Sequence, residues 1–127
     1  MQRINPDTVA KPASNYSHGI VHPAGAERLV ISGQVGLAPD GTMADGVEAQ
    51  AEQAWRNILN ILAAAGFSRE NLVRATTYVT VPGQVGVCRA VRDRVLEGHS
   101  CANTYLEISG LAAPGWLVEI EAEAIKE

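Results

Sequence analysis

The sequence contains few cysteines and few aromatic side chains. Its 127 residues include two cysteines, Cys88 and Cys101, and 5% aromatic residues. Two cysteines are too few for the disulfide framework of a small secreted protein, so both are predicted to be idle, buried thiols in the reducing cytoplasm. No apolar run approaches the roughly 20 residues that span a bilayer, and residues 1–12 lack the apolar segment of a signal peptide. No membrane partner is therefore expected.

An excess of basic charge is also missing. The chain carries 10 lysines and arginines against 14 aspartates and glutamates, for a net charge of -4. Proteins that bind nucleic acids usually present basic surfaces to the phosphate backbone, so no nucleic-acid partner is predicted. The sequence has no glycine-rich phosphate loop, and no cofactor is expected. His18 and His22 lie four residues apart on a predicted strand without a third ligand, so no metal site is predicted.

Strand and helix signals are present throughout, in an order typical of a single α+β domain over residues 1–127. Apolar residues make up 46% of the chain, enough for a globular core. Local patterns predict strands over 27–36, 72–81, 103–109 and 116–125, and helices over 45–66 and 85–96. Gly19–His22 is expected to pair with the start of the first of these strands, across a turn at Pro23. Both helices are predicted to cover one face of a mixed sheet.

The first predicted helix has recognisable ends. Asp45 is predicted to cap its start by accepting a backbone N–H, and Glu48, three residues later, completes the pattern of a capping box. Gly66 follows the last apolar position and is predicted to form the C-terminal cap.

The last predicted strand carries the most informative pattern. Apolar residues, beginning with Trp116, alternate with Glu119, Glu121 and Glu123, so the glutamates point to the face opposite the apolar one. The apolar face is expected to pack on the helices. The acidic face has two interpretations: an ordinary solvated surface, which the pattern alone favours, or a polar cleft in which one carboxylate serves as an acid or base.

Four segments, in order along nearly the whole chain, resemble the RidA/YjgF family. They are Asn15-Tyr16-Ser17-His18-Gly19, Ile31-Ser32-Gly33-Gln34, the helix residues Ala49-Gln50, Gln53, Asn57, Leu62 and Ala65-Gly66, and Val118-Glu119-Ile120-Glu121-Ala122. The resemblance implies a chorismate-mutase-like fold, in which three subunits close their sheets into a central barrel. It also implies a homotrimer with a small-molecule ligand in a cleft at each subunit interface.

The resemblance implies a chemistry as well. Active family members hydrolyse reactive enamines and imines and release ammonia. The first glutamate of the C-terminal motif, here Glu119, is the residue that positions or activates water in that reaction. The tyrosine and the Ser-Gly pair of the family's cleft correspond to Tyr16, Ser32 and Gly33, which are the candidate substrate-binding residues.

One departure from the family changes the expected activity. Where the family has Pro-Ala-Arg, whose arginine holds the substrate carboxylate, this chain has Cys101-Ala102-Asn103, and Glu107 fixes the register because it matches a family glutamate. Asparagine is short and neutral, so the lost contact costs about 2–5 kcal/mol of carboxylate binding. Tyr105 stands where smaller residues are common and is expected to narrow the cleft. Activity toward the usual 2-imino acids is therefore predicted to be weak or absent.

Other arginines are poor replacements for the missing one by sequence pattern. Arg74 lies on a predicted strand and is interpreted as a structural residue that pairs with one of the glutamates. Arg89, Arg92 and Arg94 have the spacing of an exposed helix face.

Two functions therefore stay open at the level of sequence. The first is a hydrolase, a divergent deaminase, that acts on a substrate without the usual carboxylate. The second is a non-enzymatic small-molecule binding protein that uses the same cleft. Ribonuclease is a third activity attached to the family's name, but this acidic chain has no basic stripe with interleaved aromatic residues to support it.

Overall fold

The structure, a computed structural model, describes all 127 residues of the chain. Six strands and two α-helices follow one another, with a short 3₁₀ helix (Arg69–Asn71) after the first α-helix. The bounds are β1 (Gln2–Ile4), β2 (Gly19–Val21), β3 (Glu27–Val35), α1 (Gly46–Ala64), β4 (Leu72–Val79), α2 (Val85–Val95), β5 (Ala102–Glu107) and β6 (Val118–Lys126). The predicted strands and helices are all present within a few residues of their expected bounds. Strand β1 is an element that the sequence pattern did not predict.

Four of the strands form a mixed sheet in the order β3-β6-β4-β5. β6 runs antiparallel to β3 and β4, whereas β5 runs parallel to β4 because helix α2 carries the chain back between them. The last strand of the sequence is therefore central in the sheet. The predicted pairing of Gly19–His22 with the start of β3 is wrong, because β1 supplies the backbone partner of β2 in a separate two-stranded sheet.

The ends of helix α1 agree with the sequence only in part. Asp45 has the extended backbone of an N-cap, but its side chain makes no hydrogen bond to the helix, so the predicted capping box is wrong. At the other end Gly66 has a φ of 77°, and its N–H donates to the oxygen of Ala63 while that of Phe67 donates to Leu62. This is a Schellman arrangement, in which the left-handed residue favours glycine, and the predicted C-terminal cap is confirmed.

Both helices pack on one face of the sheet and build the core with it. The largest fully buried side chains of that core are Trp55, Ile58, Leu62, Leu72, Leu96 and Ile120. In β6 the apolar positions are buried and the three glutamates lie half-buried on the opposite face, so the predicted alternation is confirmed. Trp116 lies before the start of β6 and is only partly buried. We call the face that no helix covers the open face.

Two amide side chains of α1 hold the loops next to the glutamate-bearing strand. Buried Gln50 donates to the backbone oxygens of Ala44 and Gly115, both at 3.0 Å, and accepts the N–H of Leu117 at 2.8 Å. Asn57 donates to two carbonyl oxygens at the end of β3, at 3.2 and 2.9 Å. These bonds satisfy backbone groups that the core would otherwise leave unpaired, and they fix the entry to β6.

The two thiols are buried and unpaired, as predicted. Burial raises the pKa of both Cys88 and Cys101 to about 11, so both are protonated at neutral pH. Neither helix has the length and apolar character needed to cross a membrane.

Candidate functional site

The three glutamates of β6 differ in their partners. Glu121 accepts a hydrogen bond from the Tyr78 hydroxyl at 3.0 Å, which raises the pKa of Tyr78. Glu123 forms an ion pair with Arg28 at 3.1 Å. Glu119 is half-buried and has neither a hydrogen-bond partner nor an ion-pair partner in the chain. Of the three carboxylates, Glu119 is therefore the one free to bind a ligand or a water molecule.

A β-bulge in β3 brings the candidate residue Gly33 beside Glu119, with Ser32 preceding it in the same bulge. The register with β6 shifts between Ile31 and Gln34, so Ser32 and Gly33 together lie opposite Glu121. A Cβ atom at Gly33 would lie 2.4 Å from Oε2 of Glu119, so the carboxylate occupies the space that a side chain would take. We call Ser32, Gly33 and Glu119 the open-face cluster.

Asn103 and Tyr105 lie on the opposite, helix-covered face, since their register partners in β4 point toward the helices. The Asn103 amide donates to the backbone oxygen and to Sγ of Cys101, both at 3.3 Å. The Tyr105 hydroxyl donates to Oε2 of Glu107 at 3.0 Å. Burial, together with this hydrogen bond, raises the pKa of Tyr105 to about 12. Both side chains are thus held on the helix side of β5.

Tyr16 joins these two residues around a cavity between β5, helix α2 and the N-terminal segment. The cavity has a volume of about 70 Å³, which suits one small polar group rather than a whole drug-sized ligand. Its lining includes Ser14, Tyr16, Arg89, Arg92, Asn103 and Tyr105. The N–H of Ser17 donates to the oxygen of Cys101 at 2.9 Å and holds the N-terminal segment against β5. We call Tyr16, Asn103 and Tyr105 the cavity cluster.

The candidate residues therefore form two separate clusters within one chain. Asn103 and Glu119 are two strands apart in the sheet and three positions apart along it, about 14 Å between Cα atoms. The sheet itself lies between their side chains. The cavity that Asn103 lines with Tyr105 includes no residue of the open-face cluster.

The interpretation of three α2 arginines as an exposed face is wrong for Arg92. Arg94 is exposed and lies 3.6 Å from a carboxylate oxygen of Glu52 in helix α1. Arg92 is only 7% exposed; its Nε donates to Oδ1 of Asp93 at 3.0 Å, and its Nη2 has no partner. The expected ion pair between Arg74 and a glutamate is also absent, since Arg74 forms none in the chain.

A signal for the burial of Arg92 was available in the sequence. Arg92 lies four residues after Cys88 and four before Leu96, and both of those residues are buried. Three residues at this spacing share one helix face, so Arg92 belongs to the apolar stripe of α2. Because arginine side chains are usually exposed, the sequence pattern assigned Arg92 to the exposed face of α2 instead.

Comparison with known proteins identifies the scaffold. The family model described as Endoribonuclease L-PSP matches residues 7–126. The crystal structure of YyfB from Yersinia pestis, a Rid-family protein of unknown function, has a TM-score of 0.88 at 32% identity and covers 98% of this chain and 97% of its own. The chain belongs to the RidA/YjgF family. The predicted α+β, chorismate-mutase-like fold is thereby confirmed.

Two curated RidA/YjgF relatives are similar over most of their length. Protein DfrA of Myxococcus xanthus is 33% identical over 124 residues, which cover 96% of this chain and 93% of DfrA. A Mus musculus protein named 2-iminobutanoate/2-iminopropanoate deaminase is 33% identical over 100 residues, which cover 77% of this chain and 73% of the mouse protein. This chain is therefore similar to a protein named for the deamination of 2-imino acids.

Proposed function

We propose that three copies of this chain form a RidA-like homotrimer whose sites hydrolyse an enamine or imine. Each site combines the open-face cluster of one subunit with the cavity cluster of the next. The observation that carries this proposal is the separation of the two clusters on opposite faces of one sheet, where neither is complete alone. The name of the mouse relative supports the reaction class.

The open face has the character of a surface that another subunit covers. Val30 is 63% exposed and Leu106 is 45% exposed on this side of the sheet. Exposed apolar side chains next to half-buried polar ones are typical of an interaction surface. Closing three such faces into a central barrel would bury both residues and bring the open-face cluster toward a neighbouring chain.

Within this site Glu119 is suited to act as a general base. Its carboxylate would take a proton from water while the water oxygen bonds to the imine carbon and the C=N electron pair moves to nitrogen, which takes up a proton from solvent. Glu119 then returns its proton to the nitrogen of the carbinolamine while the hydroxyl loses a proton to solvent. The C–N bond breaks, so imine and water become a carbonyl compound and ammonia. Ser32 and the backbone at Gly33 would contact the reacting end of the substrate. Tyr16, Asn103 and Tyr105 would contact the remainder.

The substrate is proposed to differ from the usual 2-imino acids. Asn103 is neutral, and its amide is directed back to Cys101. It therefore cannot neutralise a carboxylate from β5 as an arginine would. Activity toward 2-iminopropanoate or 2-iminobutanoate is expected to be weak or absent.

A non-enzymatic small-molecule binding protein is the second candidate. The observation that favours it is Asn103, because a scaffold that has lost its charged contact can keep a binding cleft without the reaction. The unpartnered carboxylate of Glu119 favours the enzyme. Ribonuclease activity has no support in a chain of net charge -4.

We infer that residues 1–127 form one domain and that the protein works in the reducing cytoplasm. Two unpaired, buried thiols suit that compartment.

Two measurements test the proposal together. Light scattering should return about 40 kDa, three times the 13.4 kDa of the chain. Imines generated in place by an amino-acid oxidase or an amine oxidase, with and without a carboxylate, should show faster release of the carbonyl product when the protein is present. A stable monomer at micromolar concentration would contradict the shared site. Ligand binding without acceleration of any imine would leave the binding protein as the better description.

A further inference from the structure

Two buried polar atoms of the chain lack a partner, and both belong to residues that line the same cavity. They are Nη2 of Arg92 and Oγ of Ser14. A buried donor left unpaired costs stability, and the cost is larger for a charged group. Native proteins seldom leave such groups without a partner, whether from the protein, an ordered water or a bound ion. Two of them at one cavity indicate an occupant that completes their hydrogen bonds.

The charge around the cavity determines the sign of that occupant. Arg89 lines the cavity one helical turn before Arg92 and forms no ion pair. Asp93 accepts from Nε of Arg92, but neither it nor any other acidic residue lines the cavity. The thiol of Cys88, also in the lining, is protonated at neutral pH. Two arginines and several hydroxyl-bearing residues therefore line the space without a carboxylate, a composition that suits an anion.

The size of the cavity limits what part of a ligand it holds. Its volume of about 70 Å³ is several times the roughly 10–15 Å³ that one water molecule requires, and it is far below that of a drug-sized pocket. A carboxylate group fills such a space and can accept two charge-assisted hydrogen bonds from one guanidinium. The rest of the ligand would remain outside.

We propose that Arg92, together with Ser14 and Arg89, binds the carboxylate of a small organic acid in this cavity. Helix α2 then supplies the cation that β5 lacks at Asn103. The inference rests on the proposed function only in taking this cavity as part of the ligand cleft, since the anion site itself requires no reaction. A carboxylate held against α2 lies differently from one held by an arginine in β5. Binding of small acids is therefore expected even where the usual 2-imino acids are hydrolysed slowly.

Calorimetric titration with 2-oxobutanoate tests the site, because this acid is stable and has no imine to hydrolyse. The unchanged protein should bind it, Arg92→Gln should weaken binding by at least about tenfold, and Arg92→Lys should fall between them. Arg94→Gln is the matched control, since Arg94 lies on the same helix and its exposed side chain pairs with α1. Its affinity should stay within about twofold of the unchanged protein. No binding by the unchanged protein, or equal binding by Arg92→Gln, overturns the proposal.

If Arg92→Gln does not fold, the variant Ser14→Ala tests the anion site instead. Ser14 lies in the N-terminal segment outside the sheet, so Ser14→Ala removes a hydroxyl without altering the core. It should weaken binding by about threefold to tenfold, the value of one hydrogen bond. Unchanged affinities in both Ser14→Ala and Arg92→Lys would overturn the proposal.

The same titration separates this inference from the proposed reaction. Glu119→Gln should abolish hydrolysis, whereas binding of 2-oxobutanoate by that variant should still be weakened by Arg92→Gln. Binding that depends on Arg92, in a protein that hydrolyses no imine, would support the anion site and contradict the enzyme. Hydrolysis that depends on Glu119 but does not change in Arg92→Gln would support the enzyme and contradict the anion site.

Discussion

Two glycines near the end of β3 show how differently the two sides of the sheet constrain the sequence. A Cβ atom at Gly36 would lie 2.7 Å from Cα of Gln50, which belongs to the backbone of helix α1. A Cβ atom at Gly33 would lie 2.4 Å from Oε2 of Glu119, which is the end of a side chain that can rotate away. On the helix side a glycine permits two backbones to pack, and on the open face it positions a carboxylate. Packing therefore depends on the first glycine, and the proposed chemistry depends on the second.

The division between the two sides is incomplete because of Arg92. This buried cation lies on the packed side, yet its Nη2 has no hydrogen-bond partner. Each side thus provides one group with unused capacity, the carboxylate of Glu119 on the open face and the guanidinium of Arg92 at the cavity. In a single chain the sheet separates them, and the proposed association of three chains would place them around one ligand.

The largest expected effect is on the reaction. Glu119→Gln keeps the size of the side chain but cannot accept the proton of water, so imine hydrolysis should fall by roughly 10²–10⁴-fold. The free energy of unfolding should change by less than about 0.5 kcal/mol, because Glu119 has no partner to lose. Glu121→Gln, two positions along the same face, is the matched control and should lose less than about tenfold of the activity. Full activity in Glu119→Gln would remove this residue from the mechanism.

Gly36→Ala should act on stability instead. The new methyl group meets the backbone of α1 at Gln50, which cannot move without disturbing its hydrogen bonds to Ala44, in the loop before α1, and to Gly115 and Leu117, before β6. Overpacking of this kind costs about 1–3 kcal/mol. Urea denaturation with an unchanged slope and a lower midpoint would measure it. A midpoint equal to that of the unchanged protein would show that α1 can shift at no cost.

Gly33→Ala should give the opposite result. The backbone at Gly33 is not left-handed, so alanine fits it, and the carboxylate of Glu119 can rotate away from the methyl group. Stability should stay within about 0.5 kcal/mol. Hydrolysis should fall by about tenfold, because even a small displacement of the Glu119 carboxylate from its reactive position slows the reaction. Loss of stability without loss of activity would reverse the comparison between the two glycines.

Sequence periodicity predicted the features that depend on one helix or strand alone. These features were enough to predict the fold. The faces of β6 could be assigned because Glu119 and its neighbours alternate with apolar residues along one strand. The pairing of β2 could not, because its partner, Gln2–Ile4, is only three residues long and has no pattern of its own. The sequence also did not predict that Asn103 and Glu119 lie on opposite faces of the sheet. The face on which a residue lies depends on how its strand pairs with the neighbouring strands. The alternation of side chains along one strand does not predict that pairing.

The smallest expected effect is that of Asn103→Arg. Were β5 the only source of a cation in the cavity, the restored guanidinium would improve binding of 2-oxobutanoate by orders of magnitude. Arg92 and Arg89 already line the space, so a third cation gains little and is repelled by the others. We therefore expect a gain of only about twofold to tenfold by calorimetry, with Asn103→Gln, longer but neutral, as the control. Any accompanying gain in hydrolysis should disappear when Glu119→Gln is added. A gain of a hundredfold or more, in a protein that is still trimeric, would mean that Arg92 does not hold the ligand. No gain at all would mean that Asn103 no longer faces the ligand, and the non-enzymatic binding protein would become the stronger description.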